Sequence, residues 1–171
     1  MSAVATVATA LGVAEASVRE LRRGELTLEV EASAVPGLAD RVSGGLGGRL
    51  VTLFATDERS STGRFVVHHV WSLPGRRTFL HLAASIDPAT PAFPSIAAKY
   101  PAANWFEREI LDFFGLVPEG HPNPSRVALH DDWPDEAWPL RKDFPDDRVV
   151  PRLTGEFHPF RPVTGEGVFQ V

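Results

Sequence analysis

Nine of the 15 prolines fall in the last 56 residues, and this imbalance limits what the chain can build. Proline has no backbone N–H, clashes within helices and is kept out of central strands. The stretch from Leu116 to Val171 therefore cannot form a core helix or the middle of a sheet, and neither a period of 2 nor one of 3.6 persists along it. The expected organisation is a globular domain over residues 1–116 and an extended arm over residues 117–171. Trp133, Trp138, Phe144, Phe157, Phe160 and Phe169 are spaced along the arm. Linkers carry few aromatics, so a plain disordered tail is the weaker alternative. Aromatic anchors on a polyproline-like backbone suit an arm that fills successive pockets on a partner. Its backbone polar groups must then be met by that partner or by the parent domain.

The preceding part is regular. At 171 residues there is room for one domain with a real core and not for a second. Residues 2–11 are helix-compatible, and 15–22 fit either helix or strand. Glu25–Val30 alternates strictly and puts Leu26, Leu28 and Val30 on one strand face. A short helix over Val35–Val42 ends at a glycine cluster. Strand signals at Arg49–Ala55, Arg64–Ser72 and Thr78–Ser85, joined by short links, predict an antiparallel meander. After Pro88, Pro91 and Pro94, Ser95 opens a short helical stretch, and a clear helix follows from Ala102 to Phe114, stopped by Gly115. The expected class is α+β: an antiparallel or mixed sheet with helices on one face, followed by the long arm.

Composition removes several functions. The absence of cysteine leaves no disulfide, no cysteine-ligated iron–sulfur cluster and no thiol nucleophile. A formal charge of −5 gives no footprint for nucleic acid. No apolar run approaches the length of a membrane-spanning helix. The apolar stretch Val4–Ala14 lacks a basic residue before Arg19, so it does not read as a signal peptide.

On a helical wheel starting at Trp105, the residues Phe106, Ile110, Leu111, Phe113 and Phe114 form one apolar arc. Glu107 lies inside that arc. A carboxylate there must be paired or reach out at the margin, and Arg141–Lys142 is the expected partner. Arg108 and Asp112, four apart, are expected to form an ordinary surface pair. Glu107 and Glu109 point about 160° apart and cannot flank one substrate as a general acid and base. His121, His130 and His158, with Asp131, Asp132 and Asp135, match no recurrent metal-ligand spacing. A free-standing enzyme using His121 or His130 with nearby aspartates is the alternative they leave open. Gly44–Gly48 lacks the Lys-Ser/Thr ending of a phosphate loop.

These residues also form a pattern. Glu107-Arg108-Glu109, then Asp112, two aromatics and Gly115, then Gly120-His121-Pro122 and later Pro139-Leu140-Arg141-Lys142-Asp143-Phe144 resemble the C-type subunit family of bacterial NADH:quinone oxidoreductase, respiratory complex I. They equally resemble the homologous domain of membrane-bound nickel–iron hydrogenases of the formate hydrogenlyase type. The resemblance spans roughly residues 25–145, and it departs at Ser125, where a basic residue or proline is usual. It implies an assembly subunit with no catalytic residue, cofactor or metal of its own, with iron–sulfur clusters, and nickel–iron in the hydrogenase branch, on partner subunits. The implied partners are the large subunit of the complex, D-like or hydrogenase-type, and neighbouring iron–sulfur subunits, on the cytoplasmic side of the cell membrane. The implied interaction residues are Glu107, Arg108, Glu109, Asp112, Gly115, His121, Trp133, Trp138, Arg141, Lys142, Asp143 and Phe144. Leu129–Pro134 and Gly165–Val171 resemble the hydrogenase branch, the latter as the junction to a fused large subunit, so a split form is expected here.

Overall fold

The computed structural model describes residues 2–130 and 132–151. Phe157, His158, Phe160, Phe169 and the junction at 165–171 lie outside the described residues, as does Asp131. The chain opens with helix α1 (Ala3–Leu11), which the Ser2 hydroxyl caps by accepting from the Ala5 N–H and Gly12 ends in the left-handed region. The ambiguous 15–22 segment resolves into a short 3-10 turn and strand β1 (Val18–Arg22), which pairs antiparallel with β2 (Glu25–Glu31). Only Val18 of β1 is buried, so pairing rather than hydrophobic alternation makes it a strand.

Helix α2 (Val35–Leu46) runs one turn further than its glycines suggest, taking in Gly44 and Gly45 before Gly47 ends it at φ 62°. The meander is present as β3 (Arg49–Glu58), β4 (Arg64–Leu73) and β5 (Thr78–Ile86), with a single helical turn, α3 (Arg59–Thr62), joining the first two. β2 then adds to β5 in parallel, giving a five-stranded mixed sheet of order β1-β2-β5-β4-β3. After Ile86 the chain forms β6 (Ala92–Pro94), then helix α4 (Ala103–Phe114) and β7 (Val117–Glu119), with β6 and β7 paired in parallel. The helical stretch expected from Ser95 is only a set of turns, with Tyr100 N–H donating to the Ile96 carbonyl at 2.8 Å.

Register makes the two sheet faces distinct. Leu53, Val67, Leu82 and Leu28 belong to rows that meet the helices, and they share one core with Leu11, Val42, Ile110 and Phe114 from α1, α2 and α4. Trp71 anchors this core from below, with Tyr100 edge-on at 5.4 Å. His69 is buried on the same face, and burial pushes its imidazole down to about 4. The opposite face carries Phe54, His68 and Phe79 and has no part in that core.

Candidate docking site at the root of the arm

Helix α4 is where the domain meets the chain that follows it. It forms because its apolar residues recur at helical spacing and because Gly115, at φ 64°, takes the left-handed conformation that ends it with a bond to the Leu111 carbonyl. Each polar residue on it has a different job.

Glu107 is fully buried, as its place in the apolar arc requires. Its partners are not Arg141 and Lys142. Its Oε1 accepts the Ile96 N–H at 2.8 Å, its Oε2 accepts the Ser95 hydroxyl at 2.5 Å, and His121 Nε2 stands 3.9 Å away. Burial pushes the carboxyl above its usual range, opposed by these hydrogen bonds and by His121. His121 is itself fixed. Its Nδ1 accepts from Asn123 N–H at 3.0 Å, so the proton sits on Nε2, which donates to the Asn104 carbonyl at 3.1 Å.

Arg108 and Asp112 do not form the expected surface pair, because the following chain takes both. Arg108 donates from Nε to the Ser125 carbonyl at 2.7 Å, and from Nη2 to the Arg126 carbonyl at 2.8 Å and the Ser125 hydroxyl at 3.0 Å. Asp112, nearly buried, accepts the N–H groups of Val127, Ala128 and Leu129 on one oxygen at 3.0, 2.8 and 3.3 Å. Three consecutive donors aimed at one carboxylate oxygen fix a segment that has no secondary structure of its own. Glu109 is half-buried, beside them on the helix.

The chain then returns to the end of α4. Helix ends leave carbonyls unpaired, and here Leu140 N–H reaches the Phe113 carbonyl at 3.2 Å while Arg141 Nε reaches that of Phe114 at 2.7 Å. Trp138 lies so close to Gly115 that a Cβ there would fall 2.2 Å from its ring, so both backbone and packing demand glycine. The Arg141 guanidinium stacks 3.7 Å from the Trp138 centroid and 5.1 Å from that of Phe65, and burial lowers its pKa. Trp133 donates its indole N–H to the Ala137 carbonyl at 2.6 Å, closing a turn within the arm.

Beyond Arg141 the contact becomes ionic. Asp57, buried at the end of β3, takes a fork from Arg59 at 2.9 and 2.7 Å and the Lys142 N–H at 2.9 Å. Arg59 and these N–H groups hold the Asp57 carboxyl far below the usual carboxylate range, and Asp57 with Asp143 raises Arg59. Arg59 spans the joint, donating also to both oxygens of Asp143 at 3.1 and 2.7 Å. Phe144 N–H donates to the Arg141 carbonyl and its ring lies under Arg148. Asp57 and Arg59 were missed in the sequence. Asp57 falls beyond the predicted strand Arg49–Ala55, which β3 carries on to Glu58, so its inward-facing position was not readable.

A model of the family described as the respiratory-chain NADH dehydrogenase 30 kDa subunit matches residues 28–149, which takes in the whole of this joint. The chain belongs to that family. It is 38% identical over 133 residues to formate hydrogenlyase subunit 5 of Escherichia coli K12, covering 77% of this chain and 23% of that protein. It is 33% identical over 128 residues to the C-type subunit of the NADH-quinone oxidoreductase of Salinispora tropica, covering 72% and 51%. The chain thus spans about a quarter of the first relative's length and about half of the second's. Among solved structures, the sulfane sulfur reductase described as an archaeal respiratory membrane complex shares the fold, with a TM-score of 0.67 at 23% identity over 75% of this chain and 76% of that one. The trypsin-resistant fragment of Nqo5 aligns with a TM-score of 0.53 at 24% identity, over 62% and 87%. The protein is accordingly akin to the C-type subunits of complex I and, through the same domain, to hydrogenase components.

Proposed function

We propose that this 30 kDa-family protein is a non-catalytic assembly subunit of a membrane-associated oxidoreductase of the complex I type, and that its arm binds the large subunit of the peripheral part. The family match carries the reading, because it reaches through the joint that ties the arm to α4. The joint gives the arm a fixed root: residues 125–129 and 138–143 are clamped. Residues already fixed at the root need not be ordered when a partner binds, which lowers the entropy that binding must remove.

Among the described residues no group of three or more His, Cys, Asp or Glu is placed to hold a metal, and no described helix is long and apolar enough to cross a membrane. In this reading the iron–sulfur clusters, and the nickel–iron centre if the partner is a hydrogenase, belong to other subunits on the cytoplasmic side.

The test is to purify the complex by a tag on this chain and identify the large subunit. Paired cysteine ligands for nickel in it assign a hydrogenase, and their absence a quinone-reducing enzyme. Limited trypsin digestion supplies the second arm. The isolated chain is expected to be cut after Arg148 and Arg152 while residues up to Lys142 stay protected, and the complex to protect both sites. Purification of the chain alone, with equal cleavage of that region in cell extract, would overturn the proposal.

A further inference from the structure

The sheet has a second face that the helices leave bare. Val66 and Val70 on it are buried yet stand outside the core, while Phe54 and Phe79 keep 41% and 44% of their surface exposed. At one end of this face Phe79 lies in a row with Arg22, Glu25, Ser72 and Arg49, one residue from each strand. Just beyond that row, two turns come together. The Gly24 carbonyl accepts the Phe79 N–H at 2.8 Å, and the Arg77 carbonyl would be 3.1 Å from a Cβ on Gly24. Arg77 itself sits at φ 51°, the one non-glycine residue with positive φ among the described residues. These contacts hold Arg23 on one turn and Arg76 and Arg77 on the other against the end of the sheet.

The side chains of Arg23, Arg49, Arg76 and Arg77 are exposed and have no hydrogen bond, ion pair or ring contact among the described residues. By contrast Arg19, Arg22, Arg59, Arg64 and Arg126 all meet carboxylates. A chain of net charge −5 thus gathers these four arginines, unpaired among the described residues, at one end of a face on which Phe54, Val66, Val70 and Phe79 stand among Thr52, His68 and His81.

We infer that this face docks a neighbouring protein chain, which lays an apolar strip over Phe54 and Phe79 and brings carboxylates to Arg49, Arg76 and Arg77. Aromatic residues and arginine are the side chains enriched where interfaces are strongest, and a guanidinium meets a carboxylate through two parallel hydrogen bonds. A protein partner fits better than a phosphate-rich polymer or a lipid surface. Glu25 stands within the arginine row, Glu20 lies against Gly24, and the overall negative charge repels a polyanion.

The inference rests on the assembly reading only in requiring that a complex exist, and the experiment separates the two. The full-length tagged chain is produced in its native host with the photo-crosslinker p-benzoylphenylalanine at Phe79, or at the 88% exposed Val149 on the arm. After irradiation the complex is purified and the joined peptides are sequenced. The expected adduct at Phe79 falls on another protein, within a few residues of Asp or Glu. It drops roughly tenfold in the Arg49→Glu, Arg76→Glu, Arg77→Glu variant while the adduct at Val149 persists. Thermal melting verifies that this variant folds, and the corresponding Gln substitutions replace it if it does not. With the Val149 adduct intact, an adduct at Phe79 on lipid, on residues 152–171 of the same chain, on no protein, or unaffected by the charge changes overturns the inference alone. Loss of adducts at both positions overturns the assembly reading as well.

Discussion

Two of the arm's crossings of the domain, at residues 125–129 and at 142–143, are built from different physics. At the first, the charged side chains Arg108 and Asp112 meet only neutral groups of residues 125–129, almost all of them backbone, in a setting where Asp112 is nearly buried. At the second, charge meets charge: Arg59 stands between Asp57 and Asp143, whose side chain is 65% exposed. Salt shortens the screening length from about 10 Å at 0.1 M to about 3 Å at 1 M and acts most on exposed pairs. The first crossing is therefore a permanent part of the fold, and the second has the make-up of a releasable clasp.

Asp112→Ala is the largest expected break in that contrast. It strips three N–H groups of their shared acceptor, and charge-assisted bonds together with orphaned donors place the cost at about 3 kcal/mol. Asp112→Asn keeps one acceptor oxygen and should lose about 1 kcal/mol. Urea unfolding measures both. A loss for Asp112→Ala no larger than that for the exposed Asp146→Ala would mean the first crossing does not hold the segment.

Asp57→Asn comes next, at about 2 kcal/mol, because Arg59 retains Asp143 and the amide oxygen can still accept the Lys142 N–H. The sign of its pH dependence is fixed. A carboxyl held below its unfolded value stabilises the fold above about pH 4 and loses that contribution as pH falls toward its folded value. Wild type and variant should therefore converge in acid. Hydrogen exchange in 1 M salt sharpens the contrast: the Lys142 amide should speed up while those of Val127 and Ala128 hold. Equal acceleration at both places would remove the distinction between the crossings.

Much of this was legible in the residues. Alternation at Glu25–Val30 and the β-rich runs that followed gave the strands, and the α4 wheel put Glu107 inside the apolar arc, where it is found. Its partner was not legible, because Ser95 and Ile96 are brought to it only after β6 and β7 pair over three residues, too short a stretch to carry a pattern. The roles of Arg108 and Asp112 were hidden for another reason. Both grip backbone atoms, which every residue possesses, so no side-chain type along 125–129 announces the contact. β1 was ambiguous because its partner strand, not its own sequence, makes it a strand.

The smallest effect belongs to Glu107→Gln, and its value lies in its sign. Asp57 and Glu107 are both buried carboxylates, but only Asp57 faces a guanidinium, so the two are displaced in opposite directions. A carboxyl raised by burial holds its proton more tightly in the fold than in the unfolded chain. Its contribution is complete below the unfolded value of about 4.3 and is lost as pH rises through the folded value. Relative to the unfolded chain the fold thus disfavours the ionised form of Glu107, a cost opposed by the Ser95 hydroxyl and the Ile96 N–H. Gln can preserve both contacts, so stability at pH 7 should change by less than about 1 kcal/mol. The difference between variant and wild type should shift in favour of Gln from pH 4 to pH 8, opposite in slope to Asp57→Asn. A Gln variant that is neutral at pH 4 and progressively worse at pH 8 would show that the Ser95 hydroxyl and the Ile96 N–H favour the carboxylate by more than burial disfavours it.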